Sequence, residues 1–378
     1  MTRNIIAAAV VAFISLSGFS AQAQQSNGIN PAMLPDDPKE RASFMQNLRN
    51  VPALEKAREA KNRHEEALMR DNGVHTAGIG WAKDGNPVIR LFIEPSASST
   101  GLPSEIDGVP VVVENVGRIY AMNVSCENRG LTDCEEFDAQ ALAAQPANQR
   151  DWHPRPVPIG VSIGHTDVTA GTLGCRVSRG CHQYVLSNAH VIANENSGLP
   201  GDSILQPGPT DGGVHPADEI ATLSESVPIK FGTSGNIANR VDAAIAITDA
   251  SMVTTVTRTN GYGEPKSETV NPSLGLLVQK YGRSSANSHG FIDIVDVTID
   301  VGYNGGAARF VDQIVIKSVD SSDFSRGGDS GSLIVIDGGA DDRKPVGLLF
   351  ASTTDKIYTI ANQINDVLAA LDVDIVGE

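Results

Sequence analysis

One ten-residue stretch constrains this chain more than any other. Residues 324–333 read Phe-Ser-Arg-Gly-Gly-Asp-Ser-Gly-Ser-Leu, and they set Ser330 between small residues just before an apolar run of β-formers. Glycine on both sides permits a tight backbone path and the close approach of a substrate carbonyl. Such a turn can aim the backbone N–H groups of Gly328 and Ser330 at one point, where an oxyanion would develop. The stretch predicts a reactive serine, against the alternative of an ordinary hairpin turn.

Two further stretches favour the reactive serine. Residues 184–191 form an apolar strand that ends in a small-residue bend carrying His190, and residues 241–247 begin a buried-looking strand with Asp242 at its mouth. An imidazole makes a serine hydroxyl a useful nucleophile by taking its proton, and a carboxylate on the other ring nitrogen fixes the tautomer. The sequence therefore predicts a catalytic triad in the order His190, Asp242, Ser330. Asp218 and Asp249 are fallback partners for His190, but neither begins an apolar strand.

The three stretches LSNAHV, VDAAIAI and GGDSGSL resemble the trypsin-like (chymotrypsin-fold) serine peptidases, over residues 157–378. The resemblance implies two six-stranded β-barrels with the substrate cleft between them. His190 and Asp242 would belong to the first barrel and Ser330 to the second. The expected fold is mainly β, with a small N-terminal α/β module and a C-terminal helix over residues 361–371.

The resemblance also implies roles around the nucleophile. The amides of Gly328 and Ser330 would form the oxyanion hole, and Asp329 would be a buried carboxylate that holds the turn in shape. Phe324, six residues before Ser330, falls at the base of the primary specificity pocket. An apolar ring there argues against cleavage after Lys or Arg, because a buried cation would lack a partner.

Some residues depart from the family pattern. Ser332 stands where glycine is common, and Arg155 is followed by Pro156, which gives no clear activation site. We therefore do not predict activation through a new N-terminus. We expect the Asp329 carboxylate to pair with a residue inside the chain. Residues 279–292 resemble the glycine-marked hairpin of the bacterial and narrow-leaf-type subgroup.

Composition limits the partners. The chain has 378 residues, a formal net charge of −16, 37 glycines and only 5% aromatic residues, which favours a β-rich, turn-rich body. Excess acid argues against nucleic acid or an anionic membrane as a partner. No cofactor or metal is predicted, and the remaining histidines are expected to be structural. The sequence gives no oligomeric state.

The first 23 residues have the pattern of a signal peptide. Arg3 supplies a positive start, residues 5–19 are apolar, and Ala21-Gln22-Ala23 fits a cleavage site. The apolar run is shorter than the ~20 residues that a membrane span needs. We therefore expect an exported protein, periplasmic or secreted, with no membrane attachment after cleavage. Behind the leader we predict helices with a linker, an accessory or pro-region module, a connector and the peptidase domain, at residues 24–72, 73–122, 123–156 and 157–378.

Four cysteines fit an oxidising compartment. The simplest of the three connectivities pairs neighbours, Cys126 with Cys134 and Cys175 with Cys181. A metal site is the alternative, but neither pair has C-x-x-C spacing.

The sequence thus predicts an exported serine endopeptidase (a hydrolase) that cleaves protein or peptide substrates through an acyl-enzyme intermediate. The alternative is a catalytically latent or silent trypsin-fold protein that binds peptides. The missing activation site and the long N-terminal region motivate that alternative.

Overall fold

The computed structural model describes residues 52–70, 73–82, 85–122, 148–234, 237–320 and 322–378. β-Strands dominate these ranges, so the prediction of a mainly β protein is confirmed. No helix within them is both long and apolar enough to cross a membrane. The predicted signal peptide and the predicted Cys126–Cys134 loop lie outside the described residues.

The N-terminal region is a small α/β layer. Its elements are α1 (Pro52–Leu68), β1 (Val74–Trp81), β2 (Pro87–Ile93), β3 (Glu105–Ile106), β4 (Val109–Asn115) and β5 (Ile119–Ala121). Helix α1 buries Leu54, Ala57 and Ala60, which follow one another at a spacing of three residues and so share one face. Strand β2 is buried along its whole length because β1 and β4 flank it, antiparallel and parallel respectively.

The next part of the chain forms an eight-stranded sheet and a two-stranded ribbon. The chain-order elements are β6 (Val157–Ile159), β7 (Ser162–His165), β8 (Gly171–Thr172), β9 (Cys175–Arg179), β10 (His182–Ser187), α2 (Ala189–Ile192), β11 (Ser203–Leu205), β12 (Glu219–Ser226), β13 (Ala244–Thr248) and β14 (Val253–Thr257). Strands β9, β10, β13, β12, β11 and β7 follow one another in the curled sheet, with β8 at the β7 edge and a C-terminal strand beside β9. The N–H of Gly174 donates to the carbonyl of Leu186 at 3.0 Å and brings the end of β8 back toward β10. This sheet is the first barrel.

The second barrel is closed. Its elements are β15 (Leu277–Gly282), β16 (Ala286–Tyr303), β17 (Gly306–Ser318), β18 (Leu333–Ile336), β19 (Pro345–Thr353) and β20 (Tyr358–Gln363), followed by α3 (Ile364–Leu371) and β21 (Asp374–Ile375). Antiparallel pairing runs β15-β18-β19-β20-β17-β16 and returns from β16 to β15. The predicted C-terminal helix is confirmed as α3. Its buried residues Ile364, Val367 and Leu371 share one face.

The N-terminal layer joins the second barrel through a single sheet. Strand β16 is 18 residues long, and its first residues complete the barrel with β15. Its continuation pairs antiparallel with β1, so that β1, β2, β4 and β3 extend the same sheet. Strand β5 reaches back to the barrel and lies antiparallel to the end of β19. Both contacts join residues about two hundred positions apart, so no local pattern could have predicted them.

The predicted pairing of Cys175 with Cys181 is wrong, because both thiols are free. Cys175 begins β9 inside the core, while Cys181 lies in the exposed hairpin turn after the far end of the same strand. Four residues of extended strand separate the two ends by roughly 13 Å, beyond the Cα separation that a disulfide allows. Burial raises the pKa of the Cys175 thiol, so this residue behaves as a small core side chain.

Candidate active site

His190 sits where β10 leaves the first barrel. The strand ends at Ser187, Asn188 keeps an extended backbone, and the short helix α2 then carries the imidazole into the interior. The Asn188 side chain donates to the backbone carbonyl of Asp242 at 2.8 Å. That bond ties the bend to the segment before β13, which is how residues 52 positions apart come together.

Asp242 contacts His190 directly. Its carboxylate accepts a hydrogen bond from His190 Nδ1 and another, at 3.2 Å, from the His190 backbone N–H. Both side chains are fully buried. An imidazole that donates from Nδ1 keeps its lone pair on Nε2, which is the form a general base needs.

The second barrel completes the shell around Asp242. The Tyr303 hydroxyl, at the end of β16, donates to Asp242 Oδ2 at 2.9 Å. Asn362 of β20 accepts from the Asp242 backbone N–H at 3.0 Å. Burial and the nearby carboxylate raise the pKa of Tyr303 well above its usual value, so the phenol stays a hydrogen-bond donor. The carboxylate is therefore held from both barrels at once.

Ser330 lies in the turn that precedes β18, packed against the first barrel. Its backbone carbonyl accepts from the N–H of Thr172 at 2.8 Å. Gly331 follows with φ +92°, and a Cβ there would lie 2.2 Å from Ser187 Oγ and 2.3 Å from the Thr172 carbonyl oxygen. Only glycine fits this contact. The strand that leads to His190 and the turn that carries Ser330 therefore touch.

The Ser330 hydroxyl points along the second barrel. It donates to the carbonyl of Phe350, in β19, at 3.0 Å. Ser330 is 1% exposed, His190 and Asp242 not at all. A Cβ on Gly171 would lie within 3.0 Å of both the Ser330 carbonyl and the Val191 side chain, next to His190 in the sequence. His190 and Asp242 are thus in contact, and the Ser330 backbone lies close to Val191, where the two barrels join.

The peptide groups beside Ser330 have fixed orientations. The carbonyl of Gly327 accepts from Ser284 Oγ at 2.5 Å, and the carbonyl of Asp329 accepts from Ser332 Oγ at 2.6 Å. In a trans peptide the C=O and the following N–H point in opposite directions. The N–H groups of Gly328 and Ser330 therefore face away from these two serines. Gly328 has φ +93°, a conformation that glycine adopts without strain.

Asp329 is buried with a cation beside it. Lys280 Nζ, in β15, is 3.3 Å from Asp329 Oδ2, and both side chains are fully buried. Ser285 Oγ donates to the same oxygen at 2.6 Å, while the backbone N–H groups of Ser284 and Arg326 donate at 2.7 and 2.9 Å. Burial by itself would raise the pKa of Asp329, but the Lys280 charge and these donors lower it below its usual range. Burial lowers the pKa of Lys280, and Asp329 opposes that effect.

Lys280 holds the turn without any chain terminus. Its ammonium supplies a positive charge beside the Asp329 carboxylate from within the described chain. The turn at residues 326–330 is therefore held in shape within the intact chain. Ser332, which departs from the family pattern, contributes a hydroxyl to the same turn.

A second ion pair ties this turn to the first barrel. Arg283 binds Asp211 in a bidentate manner, with nitrogen–oxygen distances of 2.5 and 2.7 Å. The Arg283 backbone N–H also donates to Thr172 Oγ1 at 3.1 Å, and that hydroxyl donates to the Gly328 carbonyl at 2.9 Å. The turn at residues 326–330 is thus linked to both barrels.

Phe324 lies in the core beside this turn. It is 2% exposed and belongs to the same apolar cluster as Met122, Leu349 and Ile316. Its backbone carbonyl accepts from Ser288 Oγ at 2.7 Å, and Lys280 Nζ is 5.9 Å from its ring centroid. Any pocket that opens beside Phe324 therefore has an apolar floor.

The fallback acids lie elsewhere. Asp218 accepts from the backbone of Val214 at 2.8 Å, and Asp249 accepts from Ser251 in an exposed turn. Four other histidines of the described residues have carboxylate partners: His64 with Asp107 at 3.1 Å, His165 with Asp202 at 2.9 Å, His215 with Glu219 at 3.6 Å and His289 with Asp337 at 2.9 Å. Within the described residues, no group of three or more potential metal-ligating side chains occurs.

The sequence interpretation missed several residues of the site. Lys280 offers one weak signal, because it is a lysine inside a strand next to the glycine-marked turn. Tyr303, Asn362 and Arg283 offered none, since each meets its partner across a large sequence separation. Strand β5 pairs with the residues of β19 that follow Phe350, whose carbonyl accepts the Ser330 hydroxyl. The sequence predicted this strand only as part of an accessory module.

The two-barrel, mainly β architecture is chymotrypsin-like. The family described as the Nal1 C-terminal domain matches residues 238–366, about a third of the chain, and this range includes Asp242 and Ser330 but not His190. No curated protein sequence matches the chain.

Several solved structures are similar to this one. Thermobifida fusca protease A is 16% identical with a TM-score of 0.42, covering 59% of this chain and 100% of its own. A glutamic acid-specific serine protease is 19% identical with a TM-score of 0.41, covering 58% and 100%. Cellulomonas bogoriensis chymotrypsin is 14% identical with a TM-score of 0.40, covering 59% and 99%.

Proposed function

We propose that this chain is a serine endopeptidase that hydrolyses peptide bonds in protein or peptide substrates. The observation that carries the proposal is the buried contact between His190 Nδ1 and Asp242, next to the glycine-flanked turn of Ser330. This arrangement has a base in the needed tautomer, an orienting carboxylate and a hydroxyl nucleophile.

The reaction would follow from these positions. The Ser330 hydroxyl turns from the Phe350 carbonyl toward His190 Nε2, attacks the substrate carbonyl carbon and gives its proton to that nitrogen. The amides of Gly328 and Ser330 stabilise the oxyanion, each worth about 3–4 kcal/mol in a comparable site. His190 then protonates the leaving amine, and water, deprotonated by His190, releases the acyl group from Ser330. Asp242 stabilises the imidazolium throughout.

The match to the Nal1 C-terminal domain supports a place in the narrow-leaf-type subgroup. The leader-like residues 1–23 support export to the periplasm or beyond the cell. Neither feature bears on the chemistry at Ser330.

A second candidate function is a latent or silent peptide-binding protein. It is favoured by the burial of all three predicted triad residues and by the bond from Ser330 to the Phe350 carbonyl. A hydroxyl in that bond is not directed at a base, so the chain needs a local change before it can react.

Fluorophosphonate labelling of the full chain tests the proposal. We expect labelling at Ser330, located by peptide mass spectrometry, that is lost in Ser330→Ala and kept in Ser322→Ala. Ser322 is an exposed serine eight positions earlier and serves as the matched control. Circular dichroism must show that both variants are folded. A folded Ser330→Ala protein that labels or hydrolyses peptides like the wild type would contradict the proposal.

A further inference from the structure

Strand β5 lies along the edge of β19 near the nucleophile. Ala121, Tyr120 and Ile119 pair antiparallel with Ala351, Ser352 and Thr353, respectively. The contact continues upstream: the Thr354 N–H donates to the carbonyl of Arg118 at 2.9 Å, and the Gly117 N–H donates to Asp355 Oδ2 at 3.1 Å. We call residues 117–122 the N-terminal strap. The strap follows β19 as an added strand would.

The register places the end of the strap beside the nucleophile. Because Ala121 pairs with Ala351, Met122 comes opposite Phe350, whose carbonyl accepts the Ser330 hydroxyl. The Met122 carbonyl oxygen is 3.5 Å from the point where a Cβ on Gly327 would lie, one residue before the Gly328 amide. A peptide that is to be cleaved must bring a carbonyl to the same turn, and an extended peptide most simply does so by pairing with an exposed strand edge.

The strap is buried where it meets the barrel. Ile119 and Met122 are each 4% exposed, and Ala121 is not exposed at all. Met122 belongs to the apolar cluster that contains Phe324. A small side chain therefore lies beside Ala351, and an unbranched apolar side chain joins the apolar cluster that contains Phe324.

Two glycines leave room for the strap. A Cβ on Gly117 would lie 2.1 Å from Thr354 Oγ1 and 3.0 Å from the Asp355 backbone nitrogen. A Cβ on Gly302, in β16, would lie 2.6 Å from the Tyr120 ring. A larger side chain at Gly302 would push against the strap, and one at Gly117 would push the strap away from Thr354, so the fit depends on close backbone approach.

We propose that the N-terminal strap occupies the peptide-binding edge of its own active site and acts as a built-in, substrate-like inhibitor. The inference rests on the proposed function. It also gives the substrate class: extended peptides with a small residue opposite Ala351 and an unbranched apolar residue, such as methionine, at the nucleophile. Since the strap is tethered, its effective concentration is of millimolar order, and a free peptide competes poorly.

The test displaces the strap and measures access to the nucleophile. Ala121→Glu places a carboxylate at a fully buried position, whereas the matched control Ala67→Glu places one on the exposed face of α1. We expect fluorophosphonate to label Ser330 at least about tenfold faster in Ala121→Glu than in the wild type, because the tethered competitor is removed. Ala67→Glu should label at the wild-type rate.

A second variant and a second readout keep the test decisive if the Ala121→Glu protein does not fold. Gly117→Ala disturbs the other end of the strap and should also speed labelling. A dye-labelled peptide with the strap's sequence, GRIYAM, should bind both released variants but neither the wild type nor Ala67→Glu. Binding is followed by fluorescence anisotropy, which requires no catalysis.

The outcomes separate this inference from the proposed function. Equal labelling of wild type and both released variants, without peptide binding, overturns the inference and leaves the hydrolase proposal standing. Peptide binding by the released variants without any labelling supports the strap's place on the peptide-binding edge, but it overturns the hydrolase and with it the strap's role as an inhibitor. Neither labelling nor binding in any folded variant overturns both.

Discussion

Two aspartates of the candidate site are fully buried, and they have different kinds of partner. Asp242 accepts hydrogen bonds from the His190 imidazole and from the Tyr303 hydroxyl. Asp329 lies beside the ammonium of Lys280 and accepts from serine and backbone donors. A buried carboxylate needs partners in both cases, but only Asp329 has an ammonium group beside it.

The two carboxylates also differ in which parts of the fold they connect. Asp242 belongs to the first barrel, and Tyr303 and Asn362 reach it from the second. The partners of Asp329 all come from the second barrel and its turns. The base–carboxylate pair therefore depends on how the barrels dock, while the partners of the Asp329 carboxylate come from one barrel. The following predictions disrupt the interactions of Asp242 and of Asp329 separately.

The largest effect is expected from Asp242→Asn. An amide can donate to His190 Nδ1 and so favour the wrong tautomer, which costs about 10⁴-fold in kcat at a comparable triad. We expect Ser330 labelling, measured in the strap-displaced Ala121→Glu background, to fall by a similar factor while the protein remains folded. Asp218→Asn is the control and should leave the rate unchanged. Labelling of Asp242→Asn at the parent rate would show that Asp242 does not orient the base.

Lys280→Met should have the next largest effect, on stability. It leaves the Asp329 carboxylate buried without its cation, which costs about 3–5 kcal/mol in the free energy of unfolding. Lys344→Met is the control, because its partner Glu268 is exposed, and such a pair contributes about 0–1 kcal/mol. Urea unfolding measures both. Equal losses in the two lysine variants would contradict a special role for the buried pair, and adding Asp329→Asn should recover part of the Lys280→Met loss.

The smallest effect is a pH dependence. The folded-state pKa of Asp329 is lowered, so its stabilising contribution is complete above its unfolded pKa of about 3.9 and is lost as the pH falls through the folded value. Urea midpoints measured from about pH 6 down to pH 3 should therefore decline more steeply in the wild type than in the Lys280→Met/Asp329→Asn double variant. If the urea midpoints of the two proteins fell in parallel, other carboxylates would account for the loss of stability at acid pH.

Local patterns in the sequence predicted much of the fold. Alternating and apolar runs bounded by glycine indicated the strands, and the apolar face around Ile364 and Val367 indicated the last helix. These features depend on neighbouring residues only, so one sequence suffices. The cysteine prediction failed for the opposite reason: nearness in sequence suggested a bond between Cys175 and Cys181, but an extended strand holds the two residues apart.

The sequence by itself determined the candidate reactive groups: a histidine after an apolar strand, an aspartate before another, and a serine between glycines, each predicted from a few neighbouring residues. Only the tertiary structure decided their surroundings. The cation at Asp329, the Tyr303 hydroxyl at Asp242 and the strap along β19 arise from contacts between segments far apart in the chain. Such contacts depend on how the barrels close and dock, because packing and strand pairing across long separations leave no periodic signal in one sequence.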